Sequence, residues 1–292
     1  MRHFALAATG DRPTVAEGRL NDVYAKNQAA HDPEQGATDR LARVHGAGEL
    51  HAALLALLLP RGSRRAARAW AIETADTPGR AGLREHAASL SGAARLPWFE
   101  RLLARMALQP IAARQSVLKA LRRIMGARGV VRPIDRLHWL AMRRGLGEVP
   151  PLTARPESGG DVAEWLETDV LALAVYTAFL SRMVAEDLAD EGAAQRWYER
   201  VMDQWQPHSG APPFETPDAE NVFEALARLQ TLSWMQRPVV IRSWVAAALK
   251  ANGGVRLGEA AADALRLTCT LLDTPMPPEL AQHYIVLPDD PK

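Results

Sequence analysis

A single cysteine in 292 residues leaves no partner for an intramolecular disulfide and rules out a multi-cysteine zinc site. Cys269 stands in the stretch Leu265–Asp273, among apolar residues at helical spacing, so it reads as a small buried hydrophobe rather than a nucleophile. Long apolar runs are missing too. The longest, 52–59 and 170–180, fall short of the ~20 residues that a membrane-spanning helix requires. The apolar piece that follows Met1 is too short for the core of a signal peptide, and a cytoplasmic protein is expected. Lysine is scarce: Arg outnumbers it thirty-one to four, a skew that reads as coding bias rather than phosphate recognition. No nucleic-acid partner is expected. There is no Gly-x-Ser-x-Gly elbow, no glycine loop that cradles phosphate and no dinucleotide fingerprint, so no cofactor is expected. Strand-length alternation is absent as well. Only Val239–Val245 is rich enough in β-branched residues to start a strand, and it flows into an alanine-rich helical pattern without a turn.

What is present is helix. Prolines at 60, 78, 97, 110 and 133 punctuate segments of about a dozen to twenty residues, the spacing expected when proline sits in first turns. Between them apolar residues recur at helical intervals. In 113–126, Val117, Leu118, Leu121, Ile124 and Met125 form one stripe, with Arg114, Lys119, Arg122 and Arg123 pointing elsewhere into water. The same reading predicts helices near 37–59, 63–76, 79–91, 97–108, 111–126 and 133–146. After a proline- and glycine-rich stretch it predicts more near 161–189, 191–205, 217–233, 237–251, 257–273 and 277–285. The fold class is all-α. The expected layout is a loosely docked arm over 1–36, a helical lobe over 37–147, a linker over 148–160, a second helical lobe over 161–287 and a tail over 288–292.

Charge is uneven although the net value is only +1. Residues 95–147 hold twelve Arg or Lys against Glu100 and Asp135, whereas 157–224 hold fifteen acids against three Arg. The two blocks either neutralise each other or stay solvated; the functional reading of the basic one is an anionic membrane surface, with Arg122, Arg123, Arg143 and Arg144 as contacts. The acidic cluster Glu186, Asp187, Asp190 and Glu191 falls where one helix gives way to the next, which solvated helix ends explain without a ligand. Of the eight tryptophans, most sit among apolar neighbours and read as core. Trp205 and Phe214, flanking the proline-rich loop 206–218, are the candidates for anchoring a partner.

One phrase occurs twice. Residues 124–137 and 248–261 align with Gly129 on Gly253, Ala127 on Ala251, Val131 on Val255, Arg132 on Arg256 and Asp135 on Glu259. A glycine closes one helix in the left-handed conformation. The valine packs back on the core, Pro133 or Leu257 opens the next helix, and the acid meets its unpaired N–H groups. The phrase is a compact helical corner, and using it twice predicts two similar helical subdomains.

The corner resembles that of the TerB-like helical fold, whose usual phrase is Ala-Asp-Gly, an apolar residue and then a Glu. The stretch 225–280, ending in Asp273-Thr274-Pro275-Met276-Pro277-Pro278-Glu279-Leu280, is similar to the end of bacterial HtpX-type membrane zinc metallopeptidases. Stretches 94–131 and 50–59 resemble earlier parts of the same C-terminal region. The resemblance implies a two-lobed, TerB-like bundle and a place beside a metallopeptidase module or its substrates. It does not bring the peptidase chemistry: none of the eight histidines forms His-Glu-x-x-His. The corner's Asp, a possible cation ligand in TerB-like proteins, stands here as Arg128 and Asn252. An arginine repels a cation and an amide binds one less well than a carboxylate, so no metal is expected, with Asn252 and Glu259 the remaining candidates. The expected role is a non-catalytic binding or regulatory domain. The alternatives are an adaptor on anionic membrane and an enzyme built on the acidic cluster.

Overall fold

A computed structural model describes residues 32–148, 165–185, 190, 192–205, 212–254 and 256–287. The described residues form thirteen helices and no strand, and the all-α expectation holds. The first seven are α1 (Asp32–Ala42), α2 (Gly46–Leu57), α3 (Arg64–Glu73), α4 (Arg80–Ser89), α5 (Gly92–Ala107), α6 (Ile111–Ala127) and α7 (Pro133–Gly145). The rest are α8 (Glu167–Val184), α9 (Ala193–Met202), α10 (Ala219–Gln230), α11 (Gln236–Ala251), α12 (Glu259–Leu272) and the single turn α13 (Pro278–Ala281). Most of the expected linker, the N-terminal arm up to residue 31 and the tail lie outside the described residues.

Three expectations are corrected. The helix expected over 37–59 is two helices, because Gly46 takes φ 74° and turns the chain while Val44 plugs the core. The arm expected to reach residue 36 ends sooner: α1 starts at Asp32, and Glu34 accepts hydrogen bonds from the Ser91 N–H and hydroxyl, capping α5. Finally, α5 begins at Gly92 rather than at Pro97. A proline inside a helix frees the carbonyl four residues before it. Here that carbonyl, Ala93 O, accepts from the Ile285 N–H at 3.4 Å, so a chain segment after α13 repairs the break.

In the first half α2 packs on α4, α5 and α6, with α1 on α4 and α3 on α6; in the second, α8 packs on α9 and α10, and α11 on α9 and α12. Helix α7 packs chiefly on the distant α12, more than on its sequence neighbours α6 and α8. One contiguous cluster of buried side chains runs through all of this. Its largest fully buried members include Trp98, Phe99, Tyr176, Phe179, Trp197 and Trp244. Buried aromatic donors need partners. Trp244 Nε1 donates to Thr177 Oγ1 at 2.9 Å, Trp70 Nε1 to Ala52 O at 3.0 Å, and Tyr176 Oη meets Thr268 Oγ1 at 3.1 Å. Trp234 departs from the core reading of the tryptophans and is 74% exposed.

The arginines have a structural use that composition does not reveal. The last carbonyls of a helix have no partner within it. Arg105 donates to Ala42 O and Val44 O beyond α1, Arg95 to Ala56 O, Leu57 O and Leu59 O at the end of α2, and Arg61 to Leu90 O after α4. Arg114 donates to Leu146 O after α7, and Arg144 and Arg237 to Leu271 O and Leu272 O of α12. A cation there also meets the negative end of the helix dipole.

Candidate functional site

Both corners close a helix on a left-handed glycine, as the phrase predicts, and then diverge. Gly129 has φ 80° and Gly253 φ 74°, followed in the second copy by Gly254 at 80°, whose N–H reaches Leu249 O at 2.7 Å. In the first corner Pro133 is the first residue of α7, and Asp135 accepts from the Arg132 N–H at 3.0 Å. That carboxylate is 4% exposed and meets Arg128 at 2.9 Å and Arg132 at 3.3 Å. A guanidinium therefore neutralises the acid that a cation would otherwise need. Val131 does not pack back as expected: it is 43% exposed, and Val130 is 75% exposed. Its counterpart Val255 lies outside the described residues. In the second corner Leu257 is buried and Glu259, the equivalent of Asp135, begins α12. Glu259 has no ion pair or hydrogen bond to a described residue.

The copies meet. Arg132 and Ile134 at the start of α7 and Glu259 and Ala260 at the start of α12 line one cavity of about 410 Å³. At the other end of the same two helices Arg144 of α7 donates to Leu271 O of α12. The helices therefore run parallel, and both positive N-terminal ends open on the cavity. A third N-terminus joins them. The Glu259 carboxylate lies where a β-carbon on Gly92 would stand, 2.4 to 2.7 Å from its position, so Glu259 sits against the first residue of α5. Leu57, Leu58 and Leu59 at the end of α2, with Leu96 and Phe99 of α5, give the cavity an apolar wall.

The polar lining has both signs. Arg61, Arg95 and Arg132 are cationic, and Glu259 and Asp263 stand one turn apart on one face of α12. Burial lowers the Arg95 guanidinium to about 10, and neighbouring Arg61 adds to this while Asp263 and Glu259 oppose it; the group stays protonated at neutral pH. Burial also lifts the Asp263 carboxyl to about 7, although Tyr284 Oη donates to its Oδ1 at 3.0 Å. His138 makes no hydrogen bond to a described residue, lines the cavity and meets Phe99 edge-on at 5.3 Å. Burial lowers its imidazole to about 4, so it is neutral at pH 7 and can accept as well as donate.

The other residues singled out from sequence lie elsewhere, and most are used internally. Trp205 is half-buried, its ring tilted against that of Trp165 with centroids 4.5 Å apart and its Nε1 on Ser243 Oγ at 3.3 Å. Phe214 packs on Tyr198 at 5.3 Å, and Tyr198 Oη donates to Pro212 O at 2.7 Å, so both candidate anchors are packed against their own chain. Arg122 covers the Trp139 ring at 4.6 Å and Arg123 forks onto Glu73, with Nη2 to Oε2 at 2.6 Å. Arg143 pairs with Glu148 at 2.9 Å, and Arg144 caps α12. Arg114, expected in water, is half-buried on Leu146 O. Asn252 caps α11, with its Nδ2 buried and without a partner among the described residues, and does not line the cavity that holds Glu259. No group of three or more His, Cys, Asp or Glu among the described residues is placed to hold a metal. Asp190 accepts from the Gly192 N–H and pairs with Arg196, while Glu186, Asp187 and Glu191 lie outside the described residues.

Sequence reasoning missed Arg61, Arg95, His138 and Asp263. The signal open to it was the i, i+4 pair Glu259 and Asp263 on one helix face. No helix among the described residues is long and apolar enough to cross a membrane. Comparison with protein-family models, with curated proteins and with solved structures finds no match to this chain.

Proposed function

We propose that this chain is a helical binding module of regulatory type whose ligand seat is the cleft at the head of α7 and α12. One observation carries the reading: both copies of the repeated corner, with the start of α5, open on a single cavity whose Glu259 carboxylate and His138 imidazole bond to no described residue. Small-molecule sites combine a largely preformed apolar hollow with a few convergent polar groups, and this cleft has both. The outward-facing residues first considered as partner contacts support it by default, being occupied with caps, stacks and ion pairs. The partner we propose for it is a peptidase module, on the sequence resemblance of 225–280 to the C-terminal region of HtpX-type metallopeptidases.

Thermal unfolding of the full chain against amino acids, organic acids, nucleotides, inorganic phosphate and divalent cations tests the reading. A true ligand at a hundred times its Kd stabilises the fold by about 2.7 kcal/mol. For a chain of this size that raises the midpoint by roughly 5 °C or more. The shift should vanish when Glu259 is changed to Lys. A panel without any shift, or one that survives this substitution, removes the cleft as the seat.

A further inference from the structure

We propose that the cleft binds a free α-amino acid with an aliphatic or aromatic side chain, a step that rests on reading the cleft as the ligand seat. The lining carries the three chemistries that such a molecule presents. Arg61, Arg95 and Arg132 supply donors for a carboxylate, and the N-terminal ends of α5, α7 and α12 add positive potential. Arg95 is anchored by its bonds to three carbonyls beyond and within the last turn of α2, so its charge is held in place before any ligand arrives. Glu259 supplies an ionic acceptor for the ammonium. Its carboxylate makes no hydrogen bond or ion pair to a described residue, so none of those must break first. Asp263, one turn along, and His138 across the cavity offer further polar contacts. Leu57, Leu58, Leu96, Phe99 and Ile134 form the surface on which an apolar side chain lies.

Charge balance separates this ligand from simpler ones. Arg61, Arg95 and Arg132 against Glu259 and Asp263 leave the empty cleft with a small excess of positive charge, which disfavours a plain amine or a metal ion. A bare inorganic anion would be held beside Glu259, a like charge with nothing between them. A zwitterion satisfies both sides, and the apolar wall rewards its side chain.

The test uses isothermal titration of the full chain with L-leucine, 4-methylpentanoate, isopentylamine and inorganic phosphate. Leucine keeps both charges, while the next two probes each lack one. L-leucine is expected to bind at least tenfold more tightly than either one-charge analogue, and phosphate not to compete. Glu259→Gln should weaken leucine at least tenfold and leave 4-methylpentanoate no weaker, since it removes a like charge from beside that anion. Gly92→Ala provides a second variant: its new β-carbon displaces the Glu259 carboxylate, the mobile end of a long side chain, while alanine suits the helix. It should weaken leucine similarly without loss of folding. If 4-methylpentanoate or phosphate binds as tightly as leucine and Arg61→Gln abolishes that binding, the amino-acid assignment fails and the cleft stands. If no probe binds, the amino-acid assignment fails, and the wider ligand panel decides the cleft.

Discussion

Changing Asp263 to asparagine should give the protein a pH dependence of stability that differs from the wild type in a calculable way. Burial raises the Asp263 carboxyl from 3.8 to about 7, so the folded protein keeps a proton that the unfolded chain releases. The stability this group contributes is full below its unfolded value and is lost as the pH rises through the folded one. His138 has the opposite sign. Its imidazole falls from 6.5 to about 4, so its contribution is full above the unfolded value and is lost as the pH drops through the folded one. Each pH unit is worth about 1.4 kcal/mol per group, and over the shared window the two slopes oppose each other. Asparagine removes only the falling limb, and its amide oxygen can still accept from Tyr284 Oη, 3.0 Å away in the wild type. The difference between variant and wild type should therefore climb between the ordinary value of 3.8 and about 7, by about 4 kcal/mol in total. Urea unfolding followed by tryptophan fluorescence, at half-unit steps through the window, measures it, and every other carboxylate cancels in the difference. A difference that stays flat with pH would refute the reasoning, because it would place Asp263 in water.

Three further outcomes follow from the corners and the core. Asp135→Ala strands Arg128, whose side chain is 8% exposed, and should lower stability by about 3–5 kcal/mol in denaturant unfolding; Arg128→Met with Asp135→Leu should recover most of the loss. Gly129→Ala and Gly253→Ala, at φ 80° and 74°, should each destabilise by about 1–2 kcal/mol. Gly126→Ala, in the last turn of α6 with open space around it, should instead stabilise by about 0.5–1 kcal/mol. Burial pushes the Cys269 thiol up to about 12, so an aromatic disulfide reagent should react with it no faster than the native protein opens, and rapidly in urea.

Helices were legible because their evidence is local. The stripe Val117, Leu118, Leu121 and Ile124 is buried as its spacing predicts, and the β-branched Val239–Val245 run is inside α11. Both corner glycines take the left-handed conformation for which only a missing side chain is needed. Boundaries failed where a distant segment decides them. Nothing near Pro97 announces that Ile285 will bond the carbonyl it frees, and nothing near Gly92 announces Glu259. The cleft was hidden for the same reason. Its parts come from α2, α5, α7 and α12, and the parallel pairing of α7 with α12 is a tertiary fact with no periodic signature. The arginine-rich block misled in a different way. Charge counts cannot distinguish a guanidinium facing solvent from one that closes a helix end, and Arg95, Arg105, Arg114 and Arg144 all do the latter.

Amide hydrogen exchange on the full chain, with and without saturating L-leucine, tests the joint role of the two corners most directly. The first turns of α7 and α12 should gain protection together, along with the start of α5, while α9 and α10 stay unchanged. Protection confined to one corner, or spread over helices remote from the cleft, would contradict a shared seat.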